Sequence, residues 1–145
     1  MNSKKAKINI SSTIENLDSA GLPTGDAERD VIKTLGEFCF SKEEGKISYT
    51  ERREGGCVEC EILVNSDMIS VKRRGSVECE MLFELGKIHK TLYCVPPFTF
   101  DMTTELIRRT SELSSCGGEL TIIYKMNVGG AEKKVRMKIT LEAKE

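Results

Sequence analysis

Hydrophobic and polar residues alternate along most of this chain, and they do so most cleanly from Asp67 to Leu85, DMISVKRRGSVECEMLFEL. Ile69, Val71, Val77, Cys79, Met81, Phe83 and Leu85 fall on odd positions, with Ser70, Lys72, Ser76, Glu78, Glu80 and Glu84 between them. Side chains of a strand point alternately to opposite faces, so the stretch predicts two strands, each with one apolar and one wet face. Leu82 is the exception on the wet side. The bend falls at Arg73-Arg74-Gly75-Ser76, where glycine supplies the positive φ of a tight turn. A register slip of one residue would carry Glu78, Glu80 and Glu84 into the core, so the pattern selects its own pairing.

The flanking segments repeat the pattern. A first strand over 5–17 places Ala6, Ile8, Ile10 and Ile14 on one face. DSAGLPTGDAE (18–28) reads as a loop, from its glycines, proline and short polar residues. A strand over 30–41 carries a bend or bulge at Gly36. Strands over 46–54, with Ile47 and Tyr49 on one face, and 57–64, with Val58, Cys60, Ile62 and Val64 on one face, precede the central hairpin. Another runs over 88–95 and ends at Pro96-Pro97, which lacks two backbone donors and belongs at a connection, edge or bulge.

Residues 98–113 are ambiguous. Phe98, Phe100, Met102, Thr104 and Leu106 alternate, which favours a strand, whereas TTELIRRTSEL also fits a short helix. The last hairpin joins Leu120, Ile122, Tyr124, Met126 and Val128 through Gly129-Gly130 to Val135, Met137, Ile139, Leu141 and Ala143. About ten short antiparallel strands and no long helix predict an all-β, up-and-down barrel in one domain over 1–145, with residues 1–4 as a frayed tail. Pairing the first strand with the last would close it and remove both edges.

KRRGSVECEMLFELG, then GGELTIIYKMNVGG and a final alternating strand, resembles the YwiB-like bacterial proteins, a family of unknown function. The most specific parts are Arg73-x-Gly75-x-Val77 and the strand through Ile123 and Tyr124 into Met126-x-Val128-Gly129. The resemblance covers most of the chain and implies a calycin-like (lipocalin-like) barrel in a cytoplasmic setting. It implies neither catalytic residues nor a ligand.

Composition narrows the functional classes. Twenty-two Lys and Arg face 23 Asp and Glu, so net charge does not suggest a polyanion partner. No apolar run approaches the ~18 residues of a membrane span, and MNSKKAKINI has no signal-peptide core. A cytoplasmic protein with its six cysteines reduced is expected.

Candidate chemistry is sparse. Cys57-Val58-Glu59-Cys60 has the spacing of zinc and redox motifs, but positions i and i+3 of a strand face opposite ways, and nothing completes four ligands. No metal site and no cofactor are expected, and the cysteines read as small buried hydrophobes. GCVECEIL and GSVECEML echo one another as two similar strands, short of a repeat architecture. His89, the single histidine, has no assignable partner, and no catalysis is expected. Asp101 and Glu105 would be neighbours only on a helix.

Arg108 continues the parity of Phe98, Phe100, Met102 and Leu106, and an arginine entering an apolar barrel can clamp a carboxylate or phosphate. With Tyr124 these residues are the candidate lining of a small-ligand cavity. The competing reading ends the strand before Arg108 and turns it to water. Arg73 shares the parity of the hairpin core, but its place at a turn suggests exposure. Finally, Lys134, Arg136 and Lys138 line the wet face of the last strand, and Lys5 and Lys7 that of the first. Closure would gather them into a basic stripe able to meet RNA or a protein partner, which is the alternative for a filled barrel. The absence of interleaved aromatic residues weighs against nucleic acid.

Overall fold

The computed structural model describes residues 3–144. They form ten strands: β1 (Lys4–Leu17), β2 (Pro23–Ser41), β3 (Glu44–Arg53), β4 (Gly56–Val64), β5 (Ile69–Gly75), β6 (Cys79–Phe83), β7 (Ile88–Val95), β8 (Phe98–Ser114), β9 (Gly117–Val128) and β10 (Ala131–Ala143). Every named pairing is antiparallel, and the sheet order is β6-β5-β4-β3-β2-β1-β10-β9-β8-β7. The chain therefore winds up and down, and β1 pairs with β10 from Ala6–Ala143 to Asn16–Lys133, as the alternation predicts. Among the described residues no helix is long and apolar enough to cross a membrane.

The barrel is nearly closed. Its two end strands, β6 and β7, meet through reciprocal backbone bonds between Glu78 and Cys94 of 2.8 and 2.9 Å, and β8 reaches across to β6 with a bridge between Leu85 and Leu106. The buried Thr104 hydroxyl donates to the Leu82 carbonyl at 2.9 Å, so a side chain of β8 satisfies an open backbone group of β6. A second gap lies between β2 and β3. They pair only through Glu37–Ser41 and Glu44–Ser48, while the earlier part of β2 pairs with β1 alone. Gly36 makes that crossing possible. A Cβ there would lie 2.2 Å from the Ser48 carbonyl oxygen and 2.6 Å from Ile8 Cδ1.

Because connections alternate between the barrel's ends, the turns at 18–22, 54–55, 76–78, 96–97 and 129–130 share one end, and those at 42–43, 65–68, 84–87 and 115–116 the other. The second end is filled by Phe38, Ile47, Ile62, Ile69, Phe83, Leu120 and Ile139, all buried. These are the inward positions that alternation assigns to the core.

Several expectations change. Residues 98–114 are strand throughout. The loop expected over 18–28 is confined to 18–22, because from Pro23 the chain already pairs with Leu17, and Ala27 to Glu37 follow β1 residue by residue. Of the expected tail, Met1 and Asn2 lie outside the described residues, but Lys4 opens β1 opposite Phe38. Leu85, expected in the core, is 63% exposed, because β6 ends at Phe83 and the chain has entered the turn.

Candidate functional site

Toward the first end the barrel is hollow. A cavity of about 500 Å³ lies among Ile10, Ile14, Ile32, Val71, Met81, Tyr124, Met126, Val135 and Met137, with Phe100, Gly129 and Ala131 near its mouth. Five charged residues also line it: Asp30, Glu51, Arg53, Arg73 and Lys133.

Four of these form one network. Glu51 lies on β3 with the inward parity of Ile47 and Tyr49, and is 3% exposed. Its Oε2 accepts from Arg73 Nη2 at 2.9 Å, and its Oε1 accepts from Arg53 Nε. Arg53 Nη2 also meets Asp30 Oδ2 at 2.5 Å, so the pair bridges the gap between β3 and β2. Buried carboxylates persist where they are paired and hydrogen-bonded, and Glu51 meets that requirement with two guanidinium groups. Lys133 enters no ion pair among the described residues. Three cations against two carboxylates leave the lining one unit positive.

Around Arg73 the register builds an inward row across four strands, Tyr49–Cys60–Arg73–Cys79. Burial pushes the Tyr49 phenol well above its ordinary range, reinforced by Cys60 and Glu51 against the pull of Arg73. Burial likewise raises the Cys60 and Cys79 thiols, with Arg73 partly offsetting it. For Arg73 itself burial acts downward, but Glu51 reverses the balance and the guanidinium is held charged. Tyr124, packed against Phe83 with ring centroids 4.6 Å apart, is raised by burial.

The residues expected to line the cavity divide. Phe100 and Tyr124 do line it. Met102 and Leu106 point inward but are packed into the core beside it. Phe98, beyond the barrel's rim at the start of β8, is 62% exposed and stacks on Phe100 at 6.5 Å. Arg108 faces outward. A bulge between Leu106 and Arg108 inserts Ile107, so that Leu106 pairs with Tyr124 but Arg108 with the outward Ile123. Beyond the bulge it is Arg109, paired with the buried Ile122, that takes the inward parity. The arginine that does turn inward is Arg73, expected to be exposed: its guanidinium folds onto Glu51.

Glu51, Arg53 and Asp30 were not among the candidates. Their signal is parity, since extending the Ile47–Tyr49 face by two and four residues gives Glu51 and Arg53. Lys5, Lys7, Lys134, Arg136 and Lys138 do share the outer face across the β1–β10 closure, all exposed. Cys57 is exposed and Cys60 buried, so their sulfurs do not converge. No group of three or more His, Cys, Asp or Glu among the described residues could hold a metal ion. His89 lies away from the cavity, its Nε2 3.0 Å from Glu84 Oε1, and Lys87 together with His89 holds Glu84 below its ordinary range.

A family model described as Domain of unknown function (DUF1934) matches residues 16–141. Among solved structures, the crystal structure of the ywiB protein from Bacillus subtilis is similar in fold, with a TM-score of 0.84 at 24% identity over 99% of this chain and 94% of that one. No curated protein matches the chain.

Proposed function

We propose that this chain, which belongs to the DUF1934 family of domains of unknown function, is a binding module that holds one small amphipathic anion inside its barrel. The observation that carries the reading is the cavity of about 500 Å³, apolar over most of its wall, with a hydrogen-bonded charge network on one side. That volume falls within the ~300–1,000 Å³ of small-molecule sites, which combine apolar walls with a few placed polar groups. The apolar wall takes up the body of the ligand. Arg73, oriented by Glu51, and Lys133 near the mouth receive its acidic group.

The same groups argue for binding over catalysis. The thiols and phenols beside Arg73 are held protonated by burial, which makes them poor nucleophiles and poor bases near neutral pH. An arginine does not exchange protons there. The setting we propose is the cytosol, in keeping with six free cysteines.

The test compares the native mass of freshly purified protein with its denatured mass, then titrates stripped protein with 8-anilinonaphthalene-1-sulfonate, an anion with an apolar body. A mass excess lost on denaturation, or one-to-one dye binding weakened at least tenfold by Met126→Trp in a folded variant, supports the reading. A clean apo mass together with dye binding indifferent to Met126→Trp refutes it.

A further inference from the structure

We propose that the outer face over β10, β9 and β8 holds a site for a linear chain of phosphate groups, separate from the cavity. The register puts Arg29, Thr13, Arg136, Ile123 and Arg108 in one row across β2, β1, β10, β9 and β8. Its three arginines stand on alternate strands and point outward, and the row contains no carboxylate. With strands ~4.8 Å apart, neighbouring arginines in the row have backbones roughly 10 Å apart, a spacing at which two long side chains can grip one extended anion.

The row is also concave. Arg108, Thr110, Thr121, Ile123 and Arg136 surround an outer depression of about 260 Å³, with an arginine on either side and two hydroxyls at its edge. Neither arginine enters an ion pair among the described residues. Their donors are therefore available, and guanidinium groups match phosphate oxygens two at a time. Lys134 and Lys138 flank Arg136 on β10, although Glu119 holds Lys138 at 3.6 Å. The bulge at Ile107 builds this site, because with Ile107 in regular pairing Arg108 would share the inward parity of Leu106 and the row would lose one end.

A phosphodiester backbone and inorganic polyphosphate share this chemistry, and two probes separate them: a labelled single-stranded RNA 12-mer of mixed sequence, and tripolyphosphate. Binding of each is measured against salt for the native protein, for Arg108→Gln/Arg136→Gln, and for Lys46→Gln/Lys90→Gln, which removes the same charge from other strands. The expected result is at least a tenfold loss for one or both probes in the arginine variant and little change in the lysine variant. If RNA binds, the loss of two contacts should lower its salt slope by roughly 1.4, at ~0.7 per phosphate for single strands. Loss for RNA alone assigns the backbone, and loss for tripolyphosphate assigns the free anion. Failure of both probes to bind, or equal losses in the two variants, overturns the proposal. Both arginines are exposed, so the variants should fold, and dye binding in the cavity should persist in them, which separates this test from that of the barrel interior.

Discussion

Glu51 offers the most direct test of how the cavity's charges are held. Glu51→Leu removes the carboxylate that Arg73 meets at 2.9 Å, while Arg53 keeps Asp30. Arg73→Met leaves Glu51, 3% exposed, with Arg53 alone. Breaking a buried pair by deleting one partner costs ~3–5 kcal/mol, because the other charge stays behind uncompensated. The Arg73 side chain is 22% exposed, so solvent relieves part of that, and each single variant should lose about 2–3 kcal/mol. Glu51→Leu/Arg73→Met leaves no orphaned charge between them and should lose only ~0–1.5 kcal/mol, since apolar replacement of a buried pair is often close to neutral. The coupling is then about 4 kcal/mol, far above the ~0.5 kcal/mol expected of independent sites. Equilibrium urea unfolding of the four proteins measures it. A double variant whose loss equals the sum of the single losses would refute the network as described.

Other consequences follow from geometry and titration. Gly36→Ala should cost more than ~3 kcal/mol or abolish soluble expression, because backbone and Ile8 occupy the space of the new methyl; near-native thermal stability would contradict the close crossing of β2 and β3. Arg108→Ala should leave stability within ~0.5 kcal/mol in the same urea assay, as expected of an outward side chain. Tyr49 and Tyr124 have raised folded pKa values, so their contribution to stability is whole below the unfolded phenol value of ~10 and is lost as pH rises beyond it. In a Tyr93→Phe background, where only those two remain, the phenolate absorbance should appear together with loss of β-sheet circular dichroism; ionisation in the folded protein near pH 10 would show both rings exposed. Thiol modification at pH 8 should reach the exposed Cys57 and Cys116 well before Cys60, with mass spectrometry of the digested protein reading the order.

Alternation carried most of the architecture, because a barrel strand with one face inside has a side-chain period of two and little freedom of register. Ile8, Ile10, Val71, Phe83, Ile122 and Ile139 are inward for that reason. The errors share two physical causes. One is the turn chemistry of Thr24-Gly25-Asp26: short polar residues and glycine suggest a loop, yet they lie within β2 as an irregularity between its Leu17–Pro23 and Glu15–Ala27 pairs with β1. The other is burial of charge. Its place at a turn argued that Arg73 was exposed, and polarity hid Glu51 and Arg53, although all three keep the parity of their apolar neighbours. A charge on the inward parity is expensive alone and stable in company, and the company comes from a strand 22 residues away. That pairing depends on tertiary register, which no local pattern contains.

The bulge at Ile107 shows how one residue redistributes function between the two surfaces of a barrel. Up to Leu106, β8 sends its even positions inward; from Arg109 it sends the odd ones. The exchange puts Arg108 on the outside, in line with Arg136, and puts Arg109 inside, where Nη1 is buried without a partner and burial holds the guanidinium below its ordinary range. Deleting Ile107 would remove the extra residue and leave Arg108 next after the inward Leu106, still outward opposite Ile123, with Arg109 inward opposite Ile122. A deletion variant should therefore keep the outer arginine row, and its loss of RNA or tripolyphosphate binding should be small beside that of Arg108→Gln/Arg136→Gln. A deletion variant that folds but loses the probes as fully as the arginine variant would show that β8 does not pair in this register, and the assignment of Arg108 to the outer row would lose its structural basis.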